Sequence, residues 1–234
     1  MAKFWYHERH KRTHPSASSI LKLINSFYVF ESVVDLGCGV GTWLFSAKEL
    51  GVKTVQGFDG SDIDPNHLMI DTSEFRRFNL NGSFESKATF QLGISLEVAE
   101  HINPNSADEY IKLLTSLSPL ILFSAAIPGQ GGSGHINEQE PSYWIEKFNH
   151  QGFELFDIIR PQIWNRSEIL PWYKQNCLLF IHKSLSPSLK LKLQNLENWN
   201  GVHLVHPDIF KKKVDETRSP YKLMKTFAKI VLKK

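Results

Sequence analysis

The segment Val33-Val34-Asp35-Leu36-Gly37-Cys38-Gly39-Val40-Gly41-Thr42-Trp43 leaves this chain few folds to choose from. A β-branched run ends in an acid, three alternate glycines follow, and a helical pattern opens at Thr42. Glycine permits a tight turn and a close backbone approach, so the pattern predicts a strand, a turn and a helix packed closely on that strand. Such a unit holds nucleotide-like ligands beyond the carboxyl end of the strand. The spacing is G-x-G-x-G rather than G-x-G-x-x-G, and Asp35 precedes the first glycine by two residues, which departs from the dinucleotide fingerprint.

The rest of the sequence alternates in the same manner. Apolar runs predict further strands at Thr54–Phe58, Phe75–Leu80, Phe90–Leu96, Pro119–Ala125, Phe153–Ile159 and Cys177–His182, after the first at Val33–Leu36. Helical periodicity marks Ser16–Tyr28 with Ser16 as N-cap, Thr42–Leu50 closed by Gly51, Ala107–Leu117, and Pro141–His150 with proline at its start. Alternating strands and helices predict an α/β fold: a Rossmann-like, seven-stranded, mostly parallel sheet with helices on both faces. With 234 residues, 41% of them hydrophobic, one domain has enough apolar material for its core. The expected division is residues 1–183 as that domain, with 1–30 as an N-terminal helical cap, and 184–234 as a basic C-terminal extension.

Charge separates the same two parts. Residues 184–234 carry 11 Lys and Arg against 4 Asp and Glu, a net +7, which leaves 1–183 at −4. The main part therefore offers no basic surface for nucleic acid, and the tail is the one feature in favour of such a partner. Within Tyr221–Lys234, Leu223, Met224, Phe227, Ile230 and Val231 alternate with lysines at helical spacing, which suits docking on the chain's own core or on an anionic membrane surface. No apolar run is long enough to span a bilayer, and Met1–Pro15 lacks the apolar region of a secretory signal. Two cysteines, Cys38 and Cys177, make no disulfide framework, and a cytoplasmic location is expected, with peripheral membrane contact as the alternative.

Three further segments bear on chemistry. Asp59-Gly60 ends the second strand, where an acid can accept both hydroxyls of a ribose. Asn79-Leu80 ends the third, where an amide can meet a base edge. After the fourth strand comes Leu96-Glu97-Val98-Ala99-Glu100-His101-Ile102. A helical turn there would put Glu97, Glu100 and His101 on one face, suited to a divalent metal or to acid–base work. His135 follows the fifth strand through a glycine-rich loop, and adjacent strand ends would bring it to the same rim.

The glycine segment resembles motif I of the class I S-adenosylmethionine (SAM) methyltransferases. Glu97–His101 resembles the E-V-L-E-H motif of many small-molecule methyltransferases. Together with His135 it is similar to the E-x-x-E-H and downstream His of the small-RNA 2′-O-methyltransferases, which use magnesium, and to the ubiquinone-pathway O-methyltransferases. Phe4–Thr13, Gly57–Gly60, Ser95–His101, Phe123–Gln139, Tyr143-Trp144 and Trp172–Asn176 look like a bacterial and viral group of methyltransferase-domain proteins of the 23/11 type, whose substrate is largely unassigned. Gln91 departs from that group, which has Asp there. The resemblance implies SAM as cofactor, held by Asp35, Gly37, Cys38, Gly39, Gly41, Asp59, Gly60, Asn79 and Leu80. It implies His101 and Glu97 as catalytic residues, and leaves open a divalent metal on Glu97, Glu100, His101 and His135. O-methylation of a small molecule or saccharide is the expected chemistry. A metal-dependent RNA 2′-O-methyltransferase and a non-catalytic SAM-binding scaffold or membrane-associated partner are the alternatives.

Overall fold

The computed structural model describes residues 2–82 and 88–218, with side chains from His7 onward. In chain order the elements are α1 (Ala2–Phe27), β1 (Ser32–Leu36), α2 (Thr42–Glu49), β2 (Thr54–Asp59), β3 (Phe75–Arg77), β4 (Leu92–Leu96), α3 (Ala107–Leu117), β5 (Leu120–Ser124), α4 (Pro141–His150), β6 (Phe153–Phe156), α5 (Ile159–Ile163), α6 (Pro171–Asn176), β7 (Leu178–His182), α7 (Ser186–Leu193) and α8 (Pro207–Arg218). The seven strands form one sheet in the order β3-β2-β1-β4-β5-β7-β6. β7 runs antiparallel to both of its neighbours, and the other pairings are parallel.

Side-chain alternation along β1 builds two cores. Val33 joins Ile20, Leu21, Ile24 and Leu44 from α1 and α2 on one face of the sheet. Val34 and Leu36 join Tyr110, Ile111 and Leu114 of α3 and Trp144 and Phe148 of α4 on the other. The order of strands reverses where β1 lies between β2 and β4, and in open α/β sheets that switch point opens a crevice at the strand ends. Asp35 is registered against Gly57 of β2 and Ile94 of β4, directly beneath it.

Several element bounds differ from the periodicity. The first helix does not start at Ser16: α1 continues back through Pro15 to Ala2. Ser16 caps nothing; its buried hydroxyl donates to the Glu168 carbonyl and accepts from the Leu170 N–H at 3.0 Å, tying α1 to the loop before α6. The third strand stops at Arg77, the fourth starts at Leu92 and the sixth stops at Phe156. Beyond Phe156 the apolar residues Ile158 and Ile159 enter α5 instead, and α5 and α6 are two helices the pattern did not separate. Gln91, at the sheet's entry, accepts the Glu31 N–H on its side-chain oxygen and donates its own backbone N–H to Ser32 Oγ, a structural part.

Residues 184–218 are bound into the core, Leu189 and Leu193 of α7 by burial in it. Buried Arg160 donates Nε to Asp157 Oδ1 at 2.8 Å, Nη1 to the Gln175 carbonyl at 3.1 Å and Nη2 to the Val202 carbonyl at 3.0 Å. Asp157 Oδ2 also accepts the Gly201 N–H, and Gln175 Oε1 accepts the His206 N–H. Tyr221–Lys234, the basic amphipathic segment, lies outside the described residues. Among those described, no helix is long and apolar enough to cross a membrane.

Candidate active site

A cleft of about 480 Å³ opens at the switch point. That volume is of the size that holds a cofactor or drug-sized ligand. Gly37, Gly39 and Val40 form its floor, Asp59, Gly60 and Ser61 one wall, and Asn79, Leu80 and Asn81 its far end. Glu97, Val98, His101 and Ile102 form the opposite wall, and Arg9 of α1 also lines the cleft.

The local chemistry explains this shape. Gly37 has φ 90°, and a Cβ there would lie 2.2 Å from Val98 Cγ2, so the turn closes against the opposite wall only as glycine. Asp59 is locked by two backbone donors, Gly39 N–H to Oδ2 and Ser61 N–H to Oδ1, each at 2.8 Å. A carboxylate so fixed keeps further lone pairs for vicinal hydroxyls. Asp35, Cys38 and Gly41 do not line the cleft. Asp35 is buried beneath the turn, where burial and then Asp59 push its carboxyl well above the usual range. The Cys38 thiol packs against Gly57, and its pKa is raised, first by burial, which makes it filler rather than nucleophile. Gly41 is the N-cap of α2, and a Cβ on it would meet Ile70.

Beyond β4 the chain does not turn as one helix. Glu97 adopts φ 56°, and a tight turn then covers Ala99–His101. Glu97 is thereby separated from Glu100 and His101. Its N–H donates to the Ser124 carbonyl and Oγ. Its carboxylate accepts Asn176 Nδ2 at 3.0 Å and Gln130 Nε2 at 2.9 Å. Burial raises its pKa, and the bonds from Asn176, Ser124 and Gln130 oppose that rise. Gln175 and Asn176 both bond Gln130 Oε1, so the three amides form one connected support.

His135 reaches the site because the N–H groups of Ile136 and Asn137 both donate to the Glu100 carbonyl. Glu138 holds the preceding loop through the Gly129 and Gly131 N–H groups and bonds His135 Nδ1 at 2.7 Å. Glu100, His101 and His135 each offer a ligand atom, all within 4.8 Å of one another, and Glu97 stands outside that set. The Glu100 side chain is fully buried; no donor reaches full hydrogen-bond geometry on its oxygens, His135 Nε2 lies 3.8 Å from Oε1, and the backbone N–H groups of Glu100 and Ala126 favour the charged form. Burial, followed by the Glu97 carboxylate, raises its pKa to about 9. The His101 and His135 rings meet edge to face at 4.9 Å. His101 Nδ1 lies 3.1 Å from the Gly134 carbonyl. Burial lowers the His101 pKa against the raising effect of that carbonyl.

The support from Gln130, Gln175 and Asn176 and the contribution of Arg9 were given no role by the sequence. A buried polar pair directly before an apolar strand, Gln175-Asn176, was the available signal. Arg9 left none. Arg12 stacks over Trp172 and Arg166 bonds the Gln162 carbonyl, so neither reaches the cleft. Trp144 and Tyr173 are core side chains.

A family model described as a methyltransferase domain matches residues 8–158. The chain belongs to this methyltransferase family. Solved structures show that the methyltransferase has the class I SAM-dependent fold. A sugar N-methyltransferase from Streptoalloteichus aligns with a TM-score of 0.59 at 10% identity, over 78% of this chain and 92% of its own. A SAM-bound amino pentose methyltransferase from Micromonospora aligns at 0.54 and 10% identity, over 77% and 96%. The magnesium protoporphyrin IX methyltransferase of Synechocystis, with bound SAH, aligns at 0.51 and 16% identity, over 72% and 84%. No curated protein sequence matches the methyltransferase.

Proposed function

We propose that this methyltransferase binds SAM along the cleft and passes its methyl group to a hydroxyl of a small molecule or saccharide. The observation that carries the reading is the state of His101. A carbonyl only accepts, so the contact to Gly134 puts the neutral ring's proton on Nδ1 and leaves a lone pair on Nε2. The lowered pKa keeps that ring neutral and basic near neutral pH. Adenine is assigned to the Asn79–Leu80 end, the ribose hydroxyls to Asp59, and the sulfonium to the space between Gly37 and Glu97. The acceptor oxygen attacks the methyl carbon and the C–S bond breaks towards sulfur. S-adenosylhomocysteine leaves, and the hydroxyl proton passes to His101 Nε2. Glu97, fixed by Asn176 and Gln130, faces the same space and orients the acceptor hydroxyl.

The −4 charge of residues 1–183 favours a neutral or cationic acceptor over a polyanion. The fold's likeness to enzymes named for sugar and tetrapyrrole methylation supports a small acceptor.

A second reading has its own observation. The carboxylate of buried Glu100, beside two imidazoles and without a full hydrogen bond, fits a divalent cation. Glu100, His101 and His135 would hold it, and it would supply a Lewis acid for an acceptor hydroxyl. Labelled SAM, offered with a neutral saccharide pool, a metabolite extract and small RNA, each with and without chelator, decides between the readings. Label in a saccharide or metabolite, insensitive to chelator and lost in His101→Ala, supports the first. Label only in RNA, lost on chelation, replaces it with the second. SAM binding without turnover on any pool, untouched by His101→Ala, would make the protein a binding scaffold.

A further inference from the structure

The cleft has a polarity that its described lining makes explicit. The ribose wall is Asp59 and the base end is Asn79 to Asn81, both on the β2–β3 side of the switch point. A SAM molecule lying that way directs its amino-acid end over the glycine turn, away from β3. That end carries an α-carboxylate, which needs a cation once it leaves water. Among the described residues that line the cleft, Arg9 carries the one permanent positive charge.

Arg9 arrives on α1, which is pinned to α2 by the residues around it. His10 Nδ1 lies 3.1 Å from Thr42 Oγ1, and His14 Nε2 lies 2.5 Å from Glu49 Oε2. Residues four apart share a helix face, so His10 and His14 both turn towards α2. Arg9 is one position round the helix, and it turns to the cleft. Thr42 is the first residue of α2, directly after the glycine turn. The part of α1 that carries Arg9 therefore packs beside the end of the glycine turn, and Arg9, the turn and the ribose acid all line one cleft.

We infer that Arg9 is the carboxylate anchor of the cofactor site, a binding residue delivered by the N-terminal helix rather than by the sheet. The inference rests on the SAM reading of the cleft. A guanidinium presents paired N–H donors that match a carboxylate's two oxygens, so one side chain both neutralises and orients the amino-acid end. Orientation matters because the sulfonium is joined to that end by a short chain, and fixing the carboxylate and the ribose fixes the methyl group between them. The assignment gives the first turns of α1 a role in selectivity: nucleosides lacking the carboxylate bind, but without this contact.

Calorimetric titration of the full chain with SAM, S-adenosylhomocysteine and 5′-methylthioadenosine, which has no carboxylate, tests the inference. Arg9→Ala is expected to weaken SAM and S-adenosylhomocysteine by roughly tenfold to a hundredfold, the range for a hydrogen bond to a charged group. Binding of 5′-methylthioadenosine should stay within about twofold of wild type, since only the carboxylate contact is removed. Arg9→Lys should recover part of the loss. Arg12→Ala, on the same helix but stacked on Trp172, should change neither. Equal weakening of all three ligands in Arg9→Ala would overturn the assignment, as would SAM binding unchanged from wild type. A wild-type protein that binds 5′-methylthioadenosine as tightly as SAM would also overturn it and leave the nucleoside site standing. Failure of wild type to bind any of the three would instead remove the cofactor reading itself.

Discussion

Glu100 is where single-residue physics is most exposed. Its carboxyl is buried beside the Glu97 carboxylate, and backbone N–H groups only partly offset that, so its pKa lies at about 9 in the folded chain. Between the ordinary carboxylate pKa and that value, the folded state holds a proton that the unfolded state has released. Stability from this group is thus complete at acidic pH and is lost as pH rises through about 9. In chelator-treated protein, the thermal midpoint should fall between about pH 5 and pH 9 by this linkage, and Glu100→Gln should flatten the fall. An unchanged slope in the variant, followed by differential scanning fluorimetry across that range, would contradict the assignment. At His101 the expectation is kinetic: His101→Ala should lower methyl transfer by about 10²–10⁴-fold while SAM still binds. Gly37 was legible from the sequence because a glycine between a strand and a helix advertises its backbone. The Glu97 support was not, since its three amides come from residues 130, 175 and 176, and nothing local in the sequence signals their convergence.

Elements show the same division between local and non-local information. β1, α2 and α3 followed from short, strongly periodic runs, and their bounds agree with the pattern to within a residue or two. α1 did not, because Ser16 after a proline reads as an N-cap, whereas the helix runs on before it with His10 packed on α2. The split of Phe153–Ile159 into a strand and α5 has a similar cause. An apolar run of that length fits either element, and buried Asp157 and Arg160 decide it by pairing three residues apart. The loop carrying His135 is likewise shaped by partners on other elements. Asn176→Leu removes donors to Glu97 and to Gln130 at the end of α6. Chemical denaturation should show a loss of about 1–3 kcal/mol, the cost of leaving a buried acceptor without its donor. A variant as stable as wild type would mean that the amide support is incidental.

Across the whole molecule, a mostly parallel sheet with helices, and hence a core, on each face was implied by the alternation of strands and helices, whereas its strand order was not. The attachment of residues 184–218 was not either, because it combines Leu189 and Leu193 of α7 buried in the core with hydrogen bonds that tie Gly201, the Val202 carbonyl and His206 to a buried ion pair and its neighbour Gln175. Truncation after Lys183 should therefore abolish cooperative unfolding, whereas truncation after Arg218 should keep it, read by circular dichroism melts. A cooperative melt for the shorter chain would show that the extension is dispensable to the fold. The central claim is that the cleft between the glycine turn and Glu97–His101 is a SAM site. Isothermal titration of SAM into wild type, Gly39→Arg and Asp59→Ala tests it most directly. A Cβ on Gly39 meets no protein atom within 4 Å, so the arginine occupies the cleft, and Asp59→Ala removes the carboxylate of the ribose wall. The account predicts saturable binding to wild type and none measurable to either variant, with both variants folded. Unimpaired binding in both would contradict it.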